Sequence, residues 1–173
     1  LPLPEARQSR PNALEPDIGG LMARLAPPGT DPFRYRQDQA LASVISAIST
    51  GVGGIVNAPT GVGKGFLVKA LTMAYPKARI DVVAPSLPTV RNLEKRLNVV
   101  IPDLGVVGGG KKELGKRVTL YCADSLKHAP HEGDDESDIL MFDEVHEAAA
   151  PTIAQQLNLY RKTVKVGFTA SYN

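Results

Sequence analysis

The sequence contains no tryptophan, one cysteine and only 5% aromatic residues. A core made from it must therefore be mostly aliphatic. The single Cys122 excludes an intramolecular disulfide and a four-cysteine zinc site, and it fits a reducing compartment. Nowhere does an apolar run approach the roughly 18 residues of a membrane span, so no membrane partner is expected. The opening Leu1-Pro2-Leu3-Pro4-Glu5 lacks a basic stretch followed by an apolar one, so no secretory signal is visible, and a start at leucine suggests a fragment. The 16 glycines and 14 prolines follow no G-X-Y period, which excludes a collagen-like chain, and 43% hydrophobic residues are too many for wholesale disorder. What is present, 173 residues of which 22% are charged, suits one soluble domain with a core of its own.

The net charge of +2 conceals an uneven distribution. Between Arg91 and Lys127 the basic residues Arg91, Lys95, Arg96, Lys111, Lys112, Lys116, Arg117 and Lys127 outnumber the acids. From Glu132 to Glu147 the chain carries Glu132, Asp134, Asp135, Glu136, Asp138, Asp143, Glu144 and Glu147 and no Lys or Arg. A basic middle is suited to a polyanion, although a solvated surface has the same composition.

Six of the 14 prolines fall in the first 28 residues. Residues 1–30 therefore read as a Pro-rich arm, and residues 31–173 as the folded domain. Within the arm, Ile18, Leu21, Met22 and Leu25 follow helical spacing after Asp17, a candidate N-cap. Beyond it, helical stretches (38–49, 66–74, 89–97, 152–159) alternate with short apolar runs (53–58, 80–84, 104–107, 118–122, 139–142, 164–168). This alternation predicts an α/β domain with a mostly parallel central sheet covered by helices on both faces. In such sheets ligands sit at the carboxyl ends of the strands.

Two motifs fall at such ends. Ala58-Pro59-Thr60-Gly61-Val62-Gly63-Lys64 is a Gly-rich turn between a strand and a helix. Small residues there let backbone N–H groups curl around a phosphate, the helix N-terminus adds partial positive charge, and Lys64 supplies a full one. The phosphate-loop pattern ends in Lys followed by Ser or Thr, whose hydroxyl helps to hold Mg²⁺, whereas this chain has Gly65. Nothing in the sequence explains that glycine, which costs about 1 kcal/mol relative to alanine inside a helix. The second motif, Ile139-Leu140-Met141-Phe142-Asp143-Glu144-Val145-His146, is an apolar strand ending in two carboxylates. Asp143 is suited to hold Mg²⁺ through a water, and Glu144 to orient and deprotonate an attacking water.

Together these residues resemble the superfamily 2 helicases and translocases: Asp143 to His146 is similar to their DExH box and Ala58 to Lys64 to their motif I. The resemblance implies a RecA-like ATP-binding domain using ATP and Mg²⁺, with Lys64, Asp143, Glu144 and His146 as catalytic residues. Thr60, Gly61, Val62, Gly63, Lys64 and Gly65 would hold phosphates. Phe33, Arg36 and Gln39 resemble the adenine-reading element. Pro85, Ser86 and Arg91 resemble motif Ia, Gly108 and Gly109 a glycine pair near the nucleic-acid backbone, and Asp124 and Ser125 the next strand-contact motif. Thr169 and Ser171 fall in a stretch similar to motif III, which couples nucleotide state to the nucleic-acid path.

The resemblance further implies a nucleic-acid partner, with DNA favoured, action inside the cell (cytoplasm, nucleoid, or as a viral protein there), and a second RecA-like domain carrying an arginine finger. Without that domain, the chain should be a weak ATPase. Two other readings stand beside this one: a nucleotide-gated nucleic-acid-binding module with impaired hydrolysis, suggested by Gly65, and a small P-loop kinase, against which the DExH box stands. The pair His128 and His131 reads as surface decoration, since no third ligand lies nearby.

Overall fold

The computed structural model describes residues 12–25, 29–33, 36–57, 63–130, 135–145 and 150–170. Helices α1 (Ile18–Leu25), α2 (Gln37–Ser49), α3 (Lys64–Ala74), α4 (Leu87–Leu97) and α5 (Pro151–Leu159) interleave with seven strands. The strands are β1 (Gly54–Asn57), β2 (Ile80–Ala84), β3 (Gly105–Gly108), β4 (Lys111–Lys112), β5 (Val118–Cys122), β6 (Ile139–Asp143) and β7 (Val164–Thr169). They form one sheet in the order β1-β7-β6-β2-β5-β3-β4, parallel throughout except for the β3–β4 hairpin.

The central strands β2, β5 and β6 are buried at every residue, as their unbroken apolar runs require of strands covered on both faces. Side chains alternate across a strand, so each strand feeds two cores. Ile80, Val82, Leu120, Met141 and Phe168 pack with Leu41, Val44, Leu67, Leu71, Leu93 and Leu97 of α2, α3 and α4. On the other face Val83, Tyr121, Leu140 and Phe142 pack with Leu126 of a 3₁₀ helix (Ala123–His128), with Tyr160, and with Ile153 and Leu157 of α5. Each large aliphatic side chain buried in this way contributes about 1.5–3 kcal/mol of transfer free energy.

Helix α1 begins as its sequence predicts. The Asp17 Oδ1 accepts a hydrogen bond from the Gly20 N–H at 2.9 Å, satisfying one of the free donors of the first turn. A Cβ at position 20 would require that carboxylate to move from its capping position. Leu21 enters the α2–α4 core, and the Arg24 guanidinium donates to the Met73 carbonyl at 2.9 Å, so this part of the Pro-rich segment lies against the end of α3.

The acidic run divides between the two ends of the sheet. Asp138 accepts from the Arg79 N–H at 2.8 Å, and Glu136 accepts from the Lys162 N–H at 2.6 Å and the Thr163 hydroxyl at 2.8 Å. These acids tie down loops before β2, β6 and β7. Asp143 and Glu144 lie at the opposite ends of the strands, where β1, β2, β3, β5, β6 and β7 all present their carboxyl termini.

Candidate functional site

Residues 58–62 lie outside the described parts of the structure, and with them Thr60, Gly61 and Val62; so do His131, His146 and Ser171. The described end of the Gly-rich turn is Gly63, which caps α3 in the left-handed region (φ 80°) and accepts at its carbonyl from the Phe66 and Leu67 N–H groups. Lys64 then opens α3, as β1 and α3 require if its ammonium is to stand at the carboxyl edge of the sheet.

There it meets the DExH carboxylates. Lys64 Nζ forms an ion pair with Glu144 Oε1 and stands 3.9 Å from Asp143 Oδ1. Asp143 is the last residue of β6 and only 8% exposed, and its Oδ1 has no hydrogen-bond partner among the described residues. Burial pushes the Asp143 carboxyl above its ordinary pKa, while the Lys64 charge acts in the opposite direction. A buried, unsatisfied carboxylate oxygen next to a cation is a suitable ligand for a second cation. Glu144 adopts φ 56°, a left-handed conformation that costs a non-glycine residue on the order of 1–3 kcal/mol and that recurs at functional sites. The turn is held from behind by Val145: a Cβ on Gly167 would lie 2.6 Å from Val145 Cγ2, so only glycine in β7 leaves room for it. Thr169, at the end of β7, is buried and in register with Asn57 of β1.

The adenine-reading candidates divide. Phe33 packs edge-on against Phe66 in the first turns of α3, with centroids 6.1 Å apart. Arg36 and Gln39 instead line a cavity of about 450 Å³ between α2 and the exposed face of β1. Sequence reasoning missed Gln37, which is buried and whose Nε2 lies 2.9 Å from where a Cβ on Gly63 would stand. The signal available in the sequence was only that a polar residue sits on the apolar face of α2, four residues before Leu41.

Position 65 has a packing reason. A Cβ there would lie 3.3 Å from Arg96 Cδ and 3.5 Å from both Nε and Nη1, so the arginine side chain of α4 rests against the glycine.

The nucleic-acid candidates converge at the carboxyl ends of β2, β3 and β5. Gly108 and Gly109 both have positive φ (138° and 59°). A Cβ on Gly108 would approach Cys122 Cβ to 2.8 Å and Ser125 Oγ to 3.5 Å, and one on Gly109 would approach Leu87 Cδ2 to 3.1 Å. Pro85 and Ser86 lead into α4, where the Ser86 and Thr89 hydroxyls are 3.0 Å apart, and Arg91 and Asp124 are exposed nearby in sequence. The basic middle is less available than its composition implies. Lys111 pairs with Glu94 and Lys116 with Asp103, and Arg117 donates to the carbonyls of Thr72, Tyr75 and Ala78.

Residues 31–173 match the family described as "Type III restriction enzyme, res subunit". The DNA 3'-5' translocase XPB2 of Sulfurisphaera tokodaii is 28% identical over 119 residues, which cover 68% of this chain and 27% of that protein. The crystal structure of the UvsW helicase from bacteriophage T4 superimposes with a TM-score of 0.70 at 15% identity, over 91% of this chain and 61% of that one. The Sulfolobus solfataricus SWI2/SNF2 ATPase core, solved with dsDNA, gives 0.70 at 17% identity over 86% and 34%. The chain thus spans about a quarter of the curated relative, and the structural likenesses establish a shared fold.

Proposed function

Because the chain belongs to the type III restriction enzyme res subunit family over residues 31–173, we propose that it is the first RecA-like, ATP-binding domain of a superfamily 2 DNA helicase or translocase. In this reading residues 1–30 are an arm, and a second RecA-like domain in the parent protein completes the machine. The observation that carries the proposal is the meeting of Lys64, Asp143 and Glu144 at the carboxyl edge of the sheet, directly after the Gly-rich turn.

Lys64 binds the outer phosphates from the first turn of α3, whose free N–H groups and dipole favour the same anion. Its ammonium has two competing sets of anions, the phosphates and Glu144, so nucleotide entry frees the Glu144 carboxylate to orient and deprotonate water. The donor set fits Mg²⁺: Asp143 offers a buried carboxylate oxygen without a hydrogen-bond partner among the described residues, although position 65 adds none. Asp143 would hold the ion, which would supply charge neutralisation for the phosphates. Thr169, at the end of β7 between the DExH strand β6 and β1, reports nucleotide state in this reading. Gln37, rather than Gln39, has the burial and proximity to the loop expected of the base- or loop-reading glutamine. Gly65 favours a second reading, a nucleotide-gated nucleic-acid-binding module with impaired hydrolysis.

The pair Lys64→Ala and Glu144→Gln tests the site. Calorimetric ATP affinity should fall at least a hundredfold in Lys64→Ala, and it should be preserved or tightened in Glu144→Gln, which releases Lys64. DNA-stimulated turnover of the parent protein should disappear in both. Unchanged ATP affinity in Lys64→Ala would remove the site assignment. No turnover in the wild-type parent would favour the second reading.

A further inference from the structure

In the general phosphate loop the residue after the lysine points its hydroxyl at the metal and the phosphates. Here the same direction is filled from another helix: Arg96 Cδ, Nε and Nη1 stand 3.3, 3.5 and 3.5 Å from the Cβ position of Gly65. A Cβ at position 65 would be in contact with those atoms and would require Arg96 Cδ to shift by a few tenths of an ångström. Helix α4 buries Val90, Leu93 and Leu97, and Arg96 leaves that apolar side to cross to the first turn of α3.

What holds Arg96 there is not a carboxylate. It makes no ion pair or hydrogen bond among the described residues, whereas the neighbouring Lys64 is engaged by Glu144. A guanidinium lying on a helix N-terminus is opposed by the helix dipole. An anion bound there relieves both. Arginine is also the side chain best matched to phosphate, since its planar fork donates two parallel hydrogen bonds.

We propose that Arg96 is a second phosphate-binding cation of the nucleotide site, and that Gly65 is the vacancy through which it reaches the phosphates. The proposal rests on the nucleotide-site reading above and assigns to an arginine of α4 part of the charge neutralisation that other phosphate loops leave to a metal held by their hydroxyl. Nucleotide binding by this chain then depends less on Mg²⁺ than in a loop ending in Lys-Thr.

The test is ATP titration of the 173-residue chain by calorimetry, in Mg²⁺ and in EDTA at matched ionic strength. The wild type should lose only a few-fold in affinity when Mg²⁺ is removed. Arg96→Gln should bind about ten- to a hundredfold more weakly in EDTA, with a smaller deficit in Mg²⁺. Arg96→Lys should recover part of the loss, which a purely packing role would not predict. Gly65→Leu, whose larger side chain would fill the space that Arg96 occupies, should reproduce the EDTA deficit. Lys77→Gln, an exposed charge deletion beyond the far end of α3, should leave both titrations unchanged. Equal affinities of wild type and Arg96→Gln in EDTA would overturn the proposal while leaving the site reading intact. ATP binding that survives Lys64→Ala would overturn the site reading and the role of Arg96 together.

Discussion

Asp81 is a carboxyl at the second position of β2, only 7% exposed, whose Oδ2 accepts from the Tyr160 hydroxyl at 2.8 Å. Burial raises its pKa to about 7, outweighing the Tyr160 hydrogen bond that lowers it. The folded state therefore holds this proton more tightly than the unfolded chain does. From this group, stability is greatest below about pH 4, declines as pH rises through the interval up to about 7, and has lost on the order of a few kcal/mol by the top of it. Asp81→Asn should flatten that part of the pH profile in urea unfolding. An equally steep decline in Asp81→Asn would move the titration to another group. At this scale the sequence was least legible. One helix position separates exposed Gln39 from buried Gln37, and only the packing of α2 against α3 shows which faces Gly63. The reason for Gly65 is a contact with Arg96, 31 residues away. No local pattern encodes such a contact.

Among the elements, legibility followed locality. The start of α1 was readable from Asp17, and the buried strands from runs such as Ile139 to Phe142, because capping and burial leave their marks within a few residues. The hairpin strand β4 was not, since Lys111 and Lys112 have no apolar alternation and exist as a strand only by pairing with Val107 and Gly108. The 3₁₀ helix likewise owes its place to Leu126 packing on the second face. Arg117 shows how a residue counted as basic surface can belong to an element instead. Its guanidinium donates to Thr72, Tyr75 and Ala78 carbonyls at 3.1–3.4 Å around the carboxyl end of α3, where the dipole favours a cation. Burial lowers its pKa, with the Arg24 charge acting in the same direction. Arg117→Ala removes the guanidinium donors from those carbonyls, of which Tyr75's keeps the Ala78 N–H, and should cost about 1.5–3 kcal/mol in chemical unfolding. Because α3 carries Lys64 at its other end, ATP affinity of the folded fraction should be nearly unchanged. A stability equal to wild type would mean that water replaces the arginine freely.

For the whole molecule, the parallel sheet sets both candidate sites on one edge: Lys64, Asp143 and Glu144 after β1 and β6, and Ser86, Gly108, Gly109 and Ser125 after β2, β3 and β5. The charge available along that edge predicts how a nucleic acid would bind. With Lys111, Lys116 and Arg117 committed to partners within the protein and Arg96 assigned to the nucleotide, exposed Arg91, Lys95, Lys112 and Lys127 remain as candidate phosphate contacts in the middle of the chain. Two or three contacts to a single strand give a slope of about −1.5 to −2 in log affinity against log salt, since each phosphate neutralised contributes about −0.7. Polarization titrations of labelled oligo-dT at several KCl concentrations should give that shallow slope and weak affinity, consistent with a net charge of only +2. Arg91→Ala should flatten the slope by about one contact, or roughly 0.7, whereas Lys116→Ala, which removes a charge already paired with Asp103, should leave it alone. Two results would count against this arrangement. A much steeper slope would require a larger basic surface than these side chains provide, and strong preference for one base sequence would require base-edge contacts that glycines and backbone-facing hydroxyls do not supply.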